Sequence, residues 1–376
     1  MKHPIKTDLI IIGAGPAGLS TAMHLLKQDQ SWKKRLIIFE KYKHPRKKIC
    51  GGGVTHFGLR ILQHLDIPYP LPLTNDIVNN IFLKYRRNII HIRGNPLFVV
   101  YNRSDFDYFL ANEAKIRGLD IREDEEVKDI EVFPDFVRLT TNKGIYEAEV
   151  IVGADGHTGI TRCFLHEKEK KNKFARTLKI WIPGLLSSPR FKDHSAVFDF
   201  SFINSGLHGY LWDFPNTIEG TPGYNQGVYD AQWFKNGKRR NLKRIFEQES
   251  NIANFTEENL KSSAIYKYHP SNSSSGFRII LVGDAAGVDG LFGEGIGPAL
   301  WYGKIASQSV VDAFKNGEYK FTRYKNKIFF SKLGRYLFIR WMLANYVYRL
   351  GHIPIFSKLL WYIGQILAWV WRPSRF

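Results

Sequence analysis

The sequence predicts an α/β protein. It should comprise a Rossmann-type dinucleotide-binding domain, an inserted and mostly antiparallel β-sheet domain, and a C-terminal helical tail. Three observations carry this expectation. The apolar run Asp8 to Ile12 leads directly into the turn Gly13-Ala14-Gly15-Pro16-Ala17-Gly18. Two further apolar runs end in small-residue turns, GADG at 153–156 and GDAAG at 283–287. Residues 166–277, lying between them, are rich in aromatic and turn residues, which suits strands better than helices.

The elements follow in order. Asp8 to Ile12 reads as a buried strand, with a helix from Leu19 to about Lys27 and a second strand from Arg35 to Glu40. Strand, G-x-G-x-x-G, helix and strand make a βαβ unit that binds a dinucleotide. Gly13 allows the tight turn, Gly15 lets a pyrophosphate approach the backbone, and Gly18 lets helix and strand pack closely. Ala17 lies within the same turn. The helix N-terminus offers free N–H groups and the positive end of its dipole to the phosphates. Glu40 follows Gly18 by about twenty residues, where an acid holds a ribose hydroxyl and disfavours a 2′-phosphate. The motif alone leaves open whether the ligand is FAD or NAD.

Next comes KKICGGGVT at 47–55. Three successive glycines cost conformational entropy, so something must come close to this backbone. Residues 71–97 are strand-like. A helix capped by Ser104 should follow Asn102, with Phe106, Phe109, Leu110 and Ala114 at helical spacing. Strands continue to about Tyr146, and the acids Glu123 to Glu126 read as a solvated loop. A helix should run from near Gly295 to about Phe314, with helical residues beyond. The expected division is residues 1–70, 98–165 and 278–312 for the dinucleotide-binding domain. Residues 71–97 and 166–277 would form the substrate domain, and 313–376 the tail.

Composition sets further bounds. A chain of 376 residues exceeds what one core usually serves, and 44% hydrophobic residues suffice for a sizeable core. Two cysteines, Cys50 and Cys163, exclude a disulfide scaffold and a cysteine-rich metal site, so no metal is expected. The run Leu9 to Ile12 is too short for a signal-peptide core, which points to the cytoplasm. Net charge is +19, and from Tyr319 to Phe376 there are eleven basic residues and no acid, interleaved with Phe, Tyr and Trp. This pattern suits an anionic headgroup layer, so peripheral contact with the inner face of the membrane is expected. The charge-free stretch Leu359 to Trp371 is too short to span a bilayer. No nucleic-acid motif accompanies the charge, so nucleic acid is not an expected partner.

Several segments together resemble a known family. Pro45 to Gly53 has the pattern P-x-K-K-x-C-G-G-G, and Arg103 to Leu110 reads Arg-x-x-Phe-Asp-x-x-Leu. Tyr210 to Pro215 reads Y-x-W-x-F-P, and Gly293-Glu294-Gly295-Ile296 follows the GDAAG turn. With the three glycine turns, this set resembles the geranylgeranyl reductases, FAD-dependent oxidoreductases of the p-hydroxybenzoate hydroxylase fold. The resemblance covers roughly residues 5–312. Two prolines usual in that family are replaced, by Leu207 and by Gly290, both expected beside the substrate cavity.

The resemblance implies FAD as cofactor and a polyprenyl lipid as substrate, its isolated C=C bonds saturated by hydride from reduced flavin. NADPH or ferredoxin would supply the electrons. Asp284 would bind ribityl or ribose hydroxyls, and Asp155 would shape the turn beside the cofactor. Arg103 and Lys48 would meet the FAD phosphates or ribose. The Gly293, Gly295 and Ile296 backbone would approach the flavin. Gly51 and Gly52 would lie against its ring with Cys50 at the edge. Cys50 and Tyr210 are the candidate proton donors or positioners. Trp212 and Phe214 share one strand face with Tyr210 and would wall the prenyl chain. His56 and His157 read as structural. The alternative is a flavin-dependent monooxygenase or halogenase of the same fold.

Overall fold

The computed structural model of the chain describes residues 3–165, 173–234, 241–249 and 259–370. The first of its two sheets is built on β1 (Ile5–Ile12), followed by α1 (Pro16–Gln28) and β2 (Leu36–Phe39). β1 pairs in parallel with β2, Leu9 opposite Leu36 through Ile12 opposite Phe39, and on its other side with β9 (Ile145–Gly153). Beyond them lie β6 (Asp120–Arg122) beside β2 and β16 (Ile279–Leu281) beside β9, both parallel, with β15 (Ser275–Gly276) at the edge. Parallel strands are covered on both faces and need apolar side chains throughout. Leu9, Ile10 and Ile11 are accordingly all fully buried.

Helix α1 begins at Pro16, earlier than the pattern suggests, because a proline in the first turn loses no hydrogen bond. It packs on α7 (Ile296–Asn316) through small residues: a Cβ on Gly303 would lie 2.5 Å from Ser20 Oγ. β7 (Val127–Val132) and β8 (Val137–Thr141) extend β9 as an antiparallel ribbon. The acids before that ribbon are not simply solvated. Glu125 is buried and accepts a hydrogen bond from Thr141 Oγ1 at 2.8 Å, while Glu123 pairs with His44 and Lys115.

The second sheet has the order β14-β10-β13-β12-β11-β4-β5-β3. Its strands are β3 (Gly53–Thr55), β4 (Asn75–Tyr85), β5 (Asn88–Tyr101), β10 (Phe174–Pro183), β11 (Ser195–Asp199), β12 (Gly209–Pro215), β13 (Gly223–Asp230) and β14 (Lys261–Tyr266). β11 and β4 run parallel and the other pairs are antiparallel, as the mostly antiparallel expectation requires. The pairing of β3 with β5 carries the end of the glycine run into this sheet.

Helix α3 (Arg103–Ile116) is capped by Asn102, whose side chain accepts from the Ser104 N–H at 3.3 Å; Ser104, the expected cap, is inside the helix. Short helices α2 (His56–His64), α4 (Ile160–Leu165), α5 (Pro189–Lys192) and α6 (Leu242–Glu249) link the larger elements. The tail is helical as expected: α8 (Tyr324–Phe330), α9 (Lys332–Leu350) and α10 (Pro354–Val370). Arg372 and Arg375 lie outside the described residues. Among the described residues, no helix is long and apolar enough to cross a membrane.

Candidate active site

Because β1, β9 and β16 are parallel neighbours, the turns that follow them, GAGPAG, GADG and GDAAG, emerge at one edge of the first sheet. They open on a cavity of about 1190 Å³, which also takes its walls from β3, β4, β5, β11, β12 and α9. That volume exceeds the roughly 300–1,000 Å³ of an ordinary ligand pocket.

The glycine turn is built as its spacing predicts. Gly13 has φ +109°, and a Cβ there would sit 2.4 Å from the Ala154 carbonyl oxygen. A Cβ on Gly18 would lie 2.0 Å from the Gly13 carbonyl oxygen, so Gly18 serves packing behind the cavity wall. At Gly15 a Cβ would meet only the Arg46 guanidinium, at 3.3 Å, so that face opens on the cavity. Gly15 caps α1 and Gly295 caps α7, neither with a side-chain hydrogen bond. Two helix N-termini, with Ala17 and Ile296 in their first turns, therefore present backbone N–H groups to one cavity. Glu40 accepts from the Ala14 and Tyr42 N–H groups at 3.0 and 3.2 Å and lines the same space. These features fit a dinucleotide with its pyrophosphate at Gly15.

Asp284 and Gly293 also line the cavity, as do Lys48 and Asp155. The Asp155 carboxylate braces its turn by accepting from the Thr161 N–H at 2.9 Å and from the Thr161 hydroxyl at 2.5 Å; burial raises its pKa. His157, in its turn, and His56, at the start of α2, are cavity residues too, and burial lowers the pKa of both.

Arg103 also lines the cavity, with its Nε and Nη2 both bonded to Asp107 at 2.9 Å and its guanidinium facing the Cys50 sulfur. Arg46, which the sequence reading passed over, is the cation beside Gly15. It bridges Asp107 at 3.2 Å and Glu40 at 3.5 Å. A basic residue within the P-x-K-K-x-C segment was the available signal.

The protein's own packing also constrains the glycine run. Gly52 has φ +80°, and a Cβ there would strike the Tyr101 carbonyl oxygen at 2.3 Å. A Cβ on Gly51 would press on Phe214 at 3.3 Å, and one on Gly53 on Phe98 at 3.3 Å. The protein itself thus requires a glycine at 52, and all three glycines also line the cavity. Cys50 stands at the edge of this run. Its sulfur accepts from the Gly52 N–H at 3.4 Å, and its carbonyl accepts from Lys179 Nζ at 2.9 Å and Asn225 Nδ2 at 3.0 Å. Burial lowers the Lys179 pKa.

On β12, Tyr210, Trp212 and Phe214 alternate and line one side of the cavity. Phe98 and Phe198 meet Phe214 at ring-centroid distances of 5.3 and 5.0 Å, and Ile81, Leu83, Ile92 and Leu97 extend the apolar wall. The Trp212 indole N–H donates to Asn225 Oδ1 at 3.1 Å. Tyr210 is 5% exposed and donates its hydroxyl proton to the Phe292 carbonyl at 2.5 Å; burial raises its pKa. The two family departures are not cavity walls. Leu207 packs with Ile180 and Val228, and a Cβ on Gly290 would meet Trp233 at 2.6 Å.

Sequence reasoning also missed the far wall. Glu294 accepts from Thr55 Oγ1 at 2.6 Å and contacts the Tyr336 hydroxyl; Arg340 Nη1 donates to Asp289 at 2.8 Å. Tyr336 and Arg340 come from α9, in a tail whose pattern chiefly suggests a membrane-facing surface. Their i,i+4 spacing on the face that carries Leu333 and Leu337 was the signal.

Residues 6–288 match the family model described as FAD binding domain. An uncharacterized protein of Methanosarcina barkeri is 29% identical over 83% of this chain and 76% of its own length. Digeranylgeranylglycerophospholipid reductase 2 of Methanococcoides burtonii is 25% identical over 83% of this chain and 76% of its own. The crystal structure of a geranylgeranyl bacteriochlorophyll reductase-like protein from Thermoplasma acidophilum superposes with a TM-score of 0.75 at 21% identity, covering 91% of this chain and 88% of that one. The halogenase PltM gives a TM-score of 0.70 at 17% identity, over 91% and 76%. The two helix N-termini, the open face of Gly15 and Glu40 suit FAD, and the chain accordingly belongs to the FAD binding domain family and is an FAD-dependent oxidoreductase, with geranylgeranyl reductase-like proteins among its neighbours.

Proposed function

We propose that this flavoprotein saturates isolated C=C bonds of a polyprenyl chain borne on a lipid or diphosphate headgroup. One observation carries the reading: the dinucleotide turns and an apolar chamber walled by Tyr210, Trp212, Phe214, Phe98 and Phe198 share a single cavity. An isoprenoid chain has no polar group along its length, so it is held by apolar area and shape. The relatives named for reducing digeranylgeranylglycerophospholipids support the same reading.

An isolated alkene has no carbonyl on which charge can rest, so hydride and proton must reach its two carbons together, in a dry and well-aligned site. Bound FAD, once reduced by NADPH or ferredoxin, supplies the hydride. The aromatic row orients the chain and excludes water. Gly15, Arg46 and Glu40 would hold the pyrophosphate and ribose end, with Asp284 and the start of α7 at the other end.

Substrate delivery follows from the tail. Along α9, exposed Ile339, Leu343 and Tyr346 lie between exposed Lys332 and Arg335 at one end and Arg349 at the other. On α10, Ile355 is 80% exposed and Leu359 54%. An apolar centre with basic ends suits an anionic bilayer surface.

The test is anaerobic reoxidation of the reduced flavin followed by absorbance. Geranylgeranyl diphosphate or a digeranylgeranyl lipid should restore the oxidised spectrum, and a saturated analogue should not. Reoxidation only by oxygen, with oxygen or halogen found in an added aromatic compound, would replace this reading by the monooxygenase or halogenase one.

A further inference from the structure

Two carboxyl groups and one guanidinium meet at the cavity wall formed by the loop before α7 and by α9. Asp289 is fully buried and well supplied: it accepts from the Leu291 and Phe292 N–H groups at 2.8 and 3.1 Å and from Arg340 Nη1 at 2.8 Å. Those partners are all donors, which suits a carboxylate. Glu294 is different. Its two oxygens meet two hydroxyls, Thr55 at 2.6 Å and Tyr336, while Arg340 Nη2 stands off at 3.7 Å. Hydroxyls donate or accept, so they serve a protonated carboxyl as well as an ionised one. With Asp289 ionised and Arg340 charged, the buried cluster is neutral only when Glu294 keeps its proton.

The group is also held rigidly. Phe57 stacks on the Tyr336 ring at 4.2 Å with 5° between planes, and the Arg340 guanidinium lies 4.1 Å from the same ring centroid. Thr55, Glu294, Tyr336 and Arg340 all face the cavity.

We propose that Glu294 is the acid that protonates the substrate carbon, with Thr55 and Tyr336 as positioning residues. The inference rests on the reductase reading above. As hydride from the reduced cofactor reaches one alkene carbon, the Glu294 O–H bond breaks and a C–H bond forms at the other. The carboxylate left behind is reprotonated by water. The substrate thereby gains two hydrogens and the cofactor loses two electrons.

Tyr210 is less suited to this role, because its proton is engaged by the Phe292 carbonyl. Burial raises the Glu294 pKa, and the nearby Asp289 charge acts in the same direction, while Arg340 and the two hydroxyls oppose it. A carboxyl with a raised pKa keeps its transferable proton to higher pH than a free carboxyl does.

The test uses the FAD-loaded protein and its Glu294→Gln variant. Infrared difference spectra between neutral and alkaline pH should contain the C=O stretch of a protonated carboxyl, absent from the variant. That readout needs no substrate, so it separates failure of this inference from failure of the reductase reading. The variant should keep its flavin spectrum and thermal midpoint yet reduce a prenyl substrate roughly 10²-fold or more slowly. Wild-type activity should fall as pH rises through the Glu294 pKa. Tyr336→Phe should move that limb without abolishing turnover. A missing carboxyl band, or a Glu294→Gln variant that turns over at the wild-type rate, overturns the inference.

Discussion

Gly52 illustrates what a residue pattern can and cannot convey. Its left-handed φ and the 2.3 Å approach to the Tyr101 carbonyl make a side chain untenable. Gly52→Ala should therefore lose at least about 1–3 kcal/mol of stability from backbone strain, measured by urea unfolding. That some backbone came close was legible in GGG; that the neighbour is the protein's own strand was not, because β5 reaches it only in the tertiary structure. The reverse holds at Gly13, Gly15 and Gly18, whose roles depend on a local strand–turn–helix geometry and were readable from spacing. Tyr210→Phe removes the donor to the Phe292 carbonyl and should cost about 1–3 kcal/mol. If this variant still reduces substrate at a comparable rate, Tyr210 is a structural brace and not the acid.

Glu294 yields a further residue-level prediction with a definite sign. Its folded pKa lies above the ordinary 4.5, so between those values the folded protein holds a proton that the unfolded chain has released. Stability contributed by this group falls as pH rises through that window. The stability difference between Glu294→Gln and wild type should therefore shift in favour of the variant as pH rises. A difference independent of pH would mean that the folded protein leaves Glu294 titrating as it does in the unfolded chain.

At the scale of elements, α9 has two faces with different tasks. Leu333, Leu337, Ala344 and Tyr348 are buried, Tyr336 and Arg340 enter the cavity wall, and Ile339, Leu343 and Tyr346 are exposed. The basic and aromatic composition of this helix was plain in the sequence, but its inner face was not, because tyrosine and arginine also serve as interfacial residues. Deleting the whole tail would thus remove core as well as surface. Ile339→Glu and Leu343→Glu are the sharper test. Both should weaken binding to anionic vesicles in co-sedimentation while leaving thermal stability nearly unchanged; undiminished binding would contradict the docking role. Arg340→Ala should instead destabilise by about 3–5 kcal/mol, because it leaves the buried Asp289 carboxylate without its counter-ion.

At the scale of the molecule, two sheets and a tail enclose one cavity. The first sheet brings three distant turns to one edge through parallel pairing, so the cofactor end could be anticipated from motifs alone. The apolar chamber depends on β4, β5, β11 and β12 lying side by side, and only the alternation on β12 hinted at it. The net charge of +19 makes any attraction to an anionic surface strongly salt-dependent. The account as a whole turns on whether the apolar chamber receives a prenyl chain for reduction. The most direct measurement is mass spectrometry of geranylgeranyl diphosphate after anaerobic incubation with the dithionite-reduced, FAD-loaded protein. The account predicts products heavier by about two mass units for each saturated bond. Substrate recovered at its original mass, alongside fully reduced and substrate-accessible flavin, would contradict it.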